Sequence, residues 1–203
     1  MRSVVLYCPH LKRDISGLRA AVPDLIVHEG RETHPAHIGG LESHLAIVGD
    51  AKSIGASRVF LMEDDCMFTS HFNLARWIAD ADWAQAAGYD VMAGGCTRTY
   101  DQRLVRDDGD GRGMVEVSAF HSSHCMVYFE SGYSKVLQAA ANPIDWSLGR
   151  DCAMRCVVTI PFVAVQRPCY SGMELCEVDY THYYQRHEDE LMGLLGSATG
   201  TLR

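Results

Sequence analysis

Four large apolar residues in a row, Val59-Phe60-Leu61-Met62, are followed at once by three carboxylates, Glu63-Asp64-Asp65. An apolar run without alternation predicts a strand buried on both faces, the habit of a central strand in a parallel sheet covered by helices. Shorter apolar runs predict a first strand over 4–7, a second over 25–27 and another over 91–95 that ends in a glycine turn. Between them the period changes to that of a helix. Residues 14–21 form a short helix stopped by Pro23, and 29–38 read as a loop. Leu41, Leu45 and Val48 share one face of a helix over 40–54, closed by Gly55. Leu74, Trp77, Ile78 and Ala81 do the same for a helix over 73–81.

The second half is more polar. Residues 98–113 mix four arginines, four aspartates and three glycines, which predicts a mobile surface loop or a lid on the acceptor side of a site. Residues 115–120 and 125–129 are strand-like. Ser131 is placed to cap a helix over 132–141 with Tyr133, Val136, Leu137 and Ala140 inward, and Pro143 breaks it. A helix is expected over 146–156, then an apolar strand over 157–165 that Pro161 marks as an edge or irregular strand. A last helix is expected over 180–195 and a disordered tail over 196–203. The alternation of strand and helix gives an α/β fold class in a single domain over 1–195.

Composition narrows the functional classes. The chain has 203 residues, 47% of them hydrophobic, enough for one full core. Its net charge of −8 argues against general nucleic-acid or anionic-membrane binding, which wants a basic face. No apolar stretch approaches the ~20 residues of a membrane span. The N-terminus turns polar after Tyr7, too early for a secretory segment, so a cytoplasmic protein is expected. The eight cysteines then read as reduced, mostly buried thiols. A zinc site from His121, His124, Cys125, Cys152 and Cys156 lacks any Cys-x-x-Cys pair.

Ligands of open α/β sheets bind at the carboxyl ends of the strands, where Glu63-Asp64-Asp65 should lie. Three adjacent acids beside an apolar core repel one another. A hard cation, Mg²⁺ or Mn²⁺, shared with substrate phosphates relieves that repulsion; a solvated acidic turn is the plainer alternative. Gly39-Gly40 completes no dinucleotide fingerprint, and the chain contains no phosphate-binding P-loop motif.

Gly39-Gly40-Leu41-Glu42-Ser43-His44-Leu45, followed by Val59-Phe60-Leu61-Met62-Glu63-Asp64-Asp65, resembles the signature of glycosyltransferase family 25. Met126-Val127-Tyr128-Phe129 with Gly132-Tyr133-Ser134-Lys135-Val136-Leu137 is similar to the family's next strand and helix. Pro143-Ile144-Asp145 and the Pro161, Gln166 and Ser171 series match in the same order, so the resemblance spans 4–171. Gly40 stands where a cysteine is common, and Ser122-Ser123-His124-Cys125 where small residues or threonine are usual.

The resemblance implies a GT-A-like fold, a mixed, mostly parallel sheet flanked by helices. It also implies inverting transfer of a sugar from a nucleotide-sugar donor, a UDP-sugar foremost, to the hydroxyl of a glycan or other acceptor; the acidic balance weighs mildly against a modified base as that acceptor. Asp65, Asp64 and His124 are the metal candidates. Glu63, Asp64, Ser43, His44 and Arg13 are placed at the donor, and Trp146, Gln166 and Ser171 at the acceptor. Asp145 is the candidate general base. Two other classes stay open: a metal-dependent nucleotidyltransferase or phosphohydrolase on the same carboxylates, and a catalytically degenerate nucleotide-sugar-binding module.

Overall fold

The computed structural model describes residues 1–139 and 143–198. Its first half contains β1 (Arg2–Tyr7), α1 (Ser16–Ala21), β2 (Ile26–Glu29), α2 (Ala36–Ser53), β3 (Arg58–Glu63), β4 (Cys66–Phe68), α3 (Leu74–Ala86) and β5 (Val91–Ala93). Next come the short strands β6 (Arg98–Tyr100), β7 (Arg103–Asp107), β8 (Gly113–Val117), β9 (Ala119–His121) and β10 (Cys125–Phe129). The chain closes with α4 (Glu130–Val136), α5 (Ile144–Arg150), β11 (Cys156–Ile160), β12 (Ala164–Gln166), β13 (Cys169–Ser171), β14 (Cys176–Val178) and α6 (Thr181–Ala198).

Eight strands make one mixed sheet in the order β2-β1-β3-β10-β5-β11-β8-β7. β1 is parallel to β2 and β3, and β5 is parallel to β11. β10 runs antiparallel to both its neighbours, with Cys125 opposite Met62. That reversal brings the loop entering β10 to the edge where β3 ends. β3 lies inside the sheet, and Val59, Phe60, Leu61 and Met62 are fully buried, as an unbroken apolar run requires. Burying each such side chain contributes about 1.5–3 kcal/mol. Alternate residues serve two cores: Val59 and Leu61 pack toward Leu41, Val48 and Tyr133, whereas Phe60 and Met62 pack toward Leu18, Trp77 and Ala81. The α/β class with helices on both faces is therefore observed. No described helix is long and apolar enough to cross a membrane. All eight cysteines are free thiols.

Asn73 is the N-cap of α3, its side chain accepting from the Arg76 amide at 3.0 Å. Asn73→Ala should cost about 1 kcal/mol in urea unfolding, and Asn73→Asp should restore most of it.

Several expectations need correction. The segment 98–113 is not a mobile loop or lid. β7 and β8 form a hairpin at the edge of the main sheet, and Arg106 ties it to Asp80 of α3 at 3.0 Å. Arg103 pairs with Glu116, and Asp108 with Arg106 and with Arg76 of α3, so part of the hairpin's charge is spent in ion pairs along the sheet edge. α2 begins earlier than expected, directly after Pro35, which holds the N-cap position in extended conformation. Ser131 does not cap α4; it lies inside that helix and donates to the Tyr89 carbonyl, while Phe129 holds the cap position. Of the expected helix over 132–141, residues 140 and 141 lie outside the described residues. The helix expected over 146–156 is the shorter α5, because Cys156 already enters β11. β11 is a central strand, paired on both sides; Pro161 falls just past its ladder and removes no donor from it. α6 continues to Ala198, into the expected tail, and 199–203 lie outside the described residues.

Candidate active site

The acidic run leaves β3 and turns at the sheet edge. Glu63 is the last residue of the strand, and Asp64 and Asp65 form the turn into β4. A cleft of about 660 Å³ opens over this edge. It collects nearly every candidate that the sequence places at a site: Arg13, Ser43, His44, Glu63, Asp64 and Asp65 line one part of it. Asp145, Trp146, Gln166 and Ser171 line the rest. His124 is the exception; it is fully buried and does not line the cleft.

The three carboxylates have different surroundings. Asp64 is fully engaged: Oδ2 accepts from the Cys8 amide at 2.7 Å and Oδ1 from Arg13 at 2.5 Å. Its backbone oxygen accepts from Arg167 at 2.6 Å. Burial alone would raise the Glu63 carboxyl, but the His44 ring at 3.3 Å and the Ser123 hydroxyl at 2.5 Å outweigh it and hold Glu63 ionised, below the usual carboxylate range. Asp65 goes the other way. Burial, and then the nearby charge of Glu63, push its carboxyl above the usual range, although Arg13 opposes them at 3.4 Å. Its Oδ2 accepts from Gln166 Nε2 at 3.2 Å. Its Oδ1 is buried with no hydrogen-bond partner among the described residues. Most buried polar atoms are paired, so this oxygen keeps unused acceptor capacity, on a residue that lines the cleft.

Other side chains hold this arrangement. His44, on α2, reaches Tyr128 at 2.9 Å with its second ring nitrogen and thus braces Glu63 against β10. Ser43 donates to the Gly39 carbonyl at 2.6 Å and accepts from the Arg31 amide at 3.1 Å, fixing the loop before α2. A Cβ at Gly39 would lie 2.1 Å from the Arg31 carbonyl oxygen, so this close approach needs glycine. The Tyr184 hydroxyl of α6 donates to Gln166 Oε1 at 3.0 Å and lies 3.1 Å from His124 Nδ1. Burial pushes the His124 imidazole down to about 4, so it is neutral. It meets the Tyr184 hydroxyl, which in turn holds Gln166, the partner of Asp65. Arg13 also donates to the Tyr170 carbonyl at 2.6 Å, joining the acids to the β13–β14 hairpin. In that hairpin Ser171 Oγ accepts the amides of Met173 and Glu174, both at 3.2 Å. Cys8 also lines the cleft, but burial, and then the Asp64 charge, push its thiol up to about 12, which removes it as a nucleophile.

Asp145 is the second residue of α5, not its cap. Its Oδ2 accepts from the Ser122 amide at 2.6 Å and its Oδ1 from the Trp146 amide at 2.9 Å. Ser122 has a φ of 96°, a left-handed value that serine seldom adopts. The two serines thus clip both sides of the cleft together: Ser123 holds Glu63 of β3 and Ser122 holds Asp145 of α5. Sequence reasoning registers Ser122 and Ser123 only as departures from a family pattern. Their role depends on a backbone angle that no motif encodes.

Neither a protein-family model nor a curated protein matches the chain. Among solved structures, it is similar to A197 from STIV, with 11% identity, a TM-score of 0.57, and coverage of 88% of this chain and 93% of that one. A UDP-glucose pyrophosphorylase complexed with UDP-glucose aligns at 11% identity and a TM-score of 0.47, covering 92% of this chain and 99% of that one. A mannose-1-phosphate geranyltransferase from Thermus thermophilus aligns at 15% identity and a TM-score of 0.41, covering 77% and 72%. The likeness to A197 is one of fold: a mixed α/β domain over most of both chains.

Proposed function

We propose that the chain is an inverting glycosyltransferase that moves a sugar from a nucleotide-sugar donor, a UDP-sugar foremost, to an acceptor hydroxyl. The observation that carries this reading is the unpartnered Asp65 Oδ1 beside Arg13, in a cleft whose other part presents Asp145 and Trp146. A buried, uncompensated carboxylate oxygen at a strand end suits a cation shared with a ligand's phosphates. The family 25 resemblance supplies the sugar-transfer chemistry.

The residues fit Mg²⁺ or Mn²⁺ in one way. Among the described residues no group of three His, Cys, Asp or Glu could form a complete cage. The Asp64 charge is already compensated by Arg13 at 2.5 Å, and His124 lies off the cleft. Asp65 remains as the direct ligand, which suits a cation held by one carboxylate, water and substrate phosphates. When bound, such an ion neutralises charge developing on the leaving nucleoside diphosphate. Arg13 adds fixed positive charge beside it. Asp145, oriented by two amides, takes the proton of the acceptor hydroxyl, and Trp146 next to it offers an apolar face to the acceptor sugar. The eight free thiols suit a reducing cytoplasm, where nucleotide sugars are made.

The test is thermal stabilisation by UDP, GDP, CMP and dTDP and their sugar conjugates, with and without Mn²⁺. One nucleotide at 100 times its dissociation constant should add about 2.7 kcal/mol, and more with Mn²⁺ present than without it. No stabilisation by any of them defeats the reading. Release of pyrophosphate from UTP and a sugar 1-phosphate would assign the same cleft to a nucleotidyltransferase.

A further inference from the structure

A second cavity of about 290 Å³ adjoins α5, lined by Tyr100, Asp101, Ser118, Ala119, Trp146 and Arg150. Trp146 also lines the main cleft, so its indole stands at the junction of the two. The cavity is built by close backbone packing. A Cβ at Gly149 would lie 1.9 Å from the Ser118 carbonyl oxygen, so only glycine lets α5 rest on the link between β8 and β9. Ser118 in turn donates its amide to the Tyr100 carbonyl at 2.9 Å and its hydroxyl to Asp101 Oδ2 at 2.6 Å. Asp101 sits in the left-handed region at a φ of 50°.

The lining has a recognisable chemistry. Tyr100, His121 and Trp146 form an aromatic ridge, with Trp146 centred 5.5 Å from Tyr100 and 5.1 Å from His121. Two guanidinium groups lie on that ridge, Arg150 at 4.4 Å from the Trp146 ring centre and Arg98 at 4.8 Å from that of Tyr100. Neither arginine forms an ion pair among the described residues, although the chain carries a net charge of −8. Ring faces take the apolar faces of pyranoses, carboxylates take their hydroxyls, and arginine takes carboxylate or phosphate in two-pronged bonds.

We propose that this cavity is a second saccharide subsite, reading an acidic sugar unit of an oligosaccharide acceptor whose reacting end lies in the main cleft. The inference rests on the glycosyltransferase reading for the word acceptor, but not for the binding itself. The unit next to the reacting sugar spans Trp146 into the cavity, and its carboxylate or phosphate pairs with Arg150.

The test titrates the full-length protein with galacturonate, digalacturonate and glucose 6-phosphate, each beside its neutral counterpart, by calorimetry and ligand-observed NMR. Arg150→Gln is run in parallel, with its fold checked by circular dichroism. The acidic disaccharide should bind at least about tenfold more tightly than the neutral one, and Arg150→Gln should erase that difference. Nucleotide stabilisation should survive in the variant. Absence of saccharide binding, equal binding of acidic and neutral sugars, or indifference to Arg150→Gln each overturn the subsite. Saccharide binding without any nucleotide binding would keep the subsite and reject the donor reading; the reverse would keep the donor reading alone.

Discussion

Asp65→Asn should abolish Mn²⁺-dependent nucleotide binding and at the same time stabilise the ligand-free protein at neutral pH. The loss of binding follows from Oδ1, the one carboxylate oxygen of the acidic run that is buried and unpartnered among the described residues, on a residue that lines the cleft. Replacing the outer partners of a metal ligand typically costs about 10–100-fold in affinity, so removing the charge of the direct ligand should cost more than about 100-fold. The gain in stability follows from the direction of the Asp65 shift. Its folded carboxyl titrates above the usual range because it is buried and lies near Glu63. The native state therefore binds more protons than the unfolded chain once pH exceeds the ordinary aspartate value of about 4. Stability falls as pH rises from there through the folded value, and is level beyond it. Asparagine removes that loss, while Arg13 keeps its bond to Asp64. The variant's advantage in urea unfolding should thus be small at pH 4 and grow toward pH 8, reaching about 1 kcal/mol or more, the cost typical of an unsatisfied buried group. The same sign governs the ligand: nucleotide with Mn²⁺ should bind the wild type more tightly as pH rises through that window. A variant less stable than wild type at every pH would show that Asp65 is a satisfied partner of Arg13 and not an open ligand.

This opposition between stability and binding also explains what the sequence could and could not reveal. Val59 to Met62 announce a buried strand because nothing polar interrupts them, and the acids after them announce a site because strand ends are where such sheets bind ligands. Which acid is free for a ligand is a different matter. It is decided by the Cys8 amide and by Arg13, both of which come from the β1 end of the chain and reach Asp64 only after β1 pairs with β3. The structure places Asp145 and Trp146 on the cleft, yet the clip that sets Asp145 is an amide at a left-handed serine. The hairpin of β7 and β8 was hidden for another reason. On an edge strand half of the positions face water, so alternating charge imitates a loop until the partners of those charges, such as Asp80 on α3, are known. Pro161 misleads in a similar way, since a proline one residue past a ladder looks the same in sequence as one inside it.

The largest loss of stability should come from Arg13→Met. The guanidinium is nearly buried, holds Asp64 at 2.5 Å and faces Asp65 at 3.4 Å. Removing one partner of a buried ion pair leaves a charge with neither water nor a counter-ion, which typically costs about 3–5 kcal/mol. Here two carboxylates are stranded, and the Tyr170 carbonyl loses its donor, so the β13–β14 hairpin is released from the cleft wall as well. The deficit has a pH signature. Without Arg13 the folded carboxyl of Asp65 rises further above its unfolded value, so the missing stability returns as pH falls toward that unfolded value and the group is protonated in both states. Urea unfolding at pH 7 and pH 5 should show the variant's deficit shrinking on acidification. A second substitution checks the cause: Asp64→Asn in the Arg13→Met background removes one stranded charge and should recover about 1–2 kcal/mol, whereas Asp64→Asn alone should destabilise by breaking the pair. If the double variant is no more stable than Arg13→Met, the arginine acts through its aliphatic packing and the Tyr170 bond, and the cation beside Asp65 ceases to be an electrostatic keystone of the site.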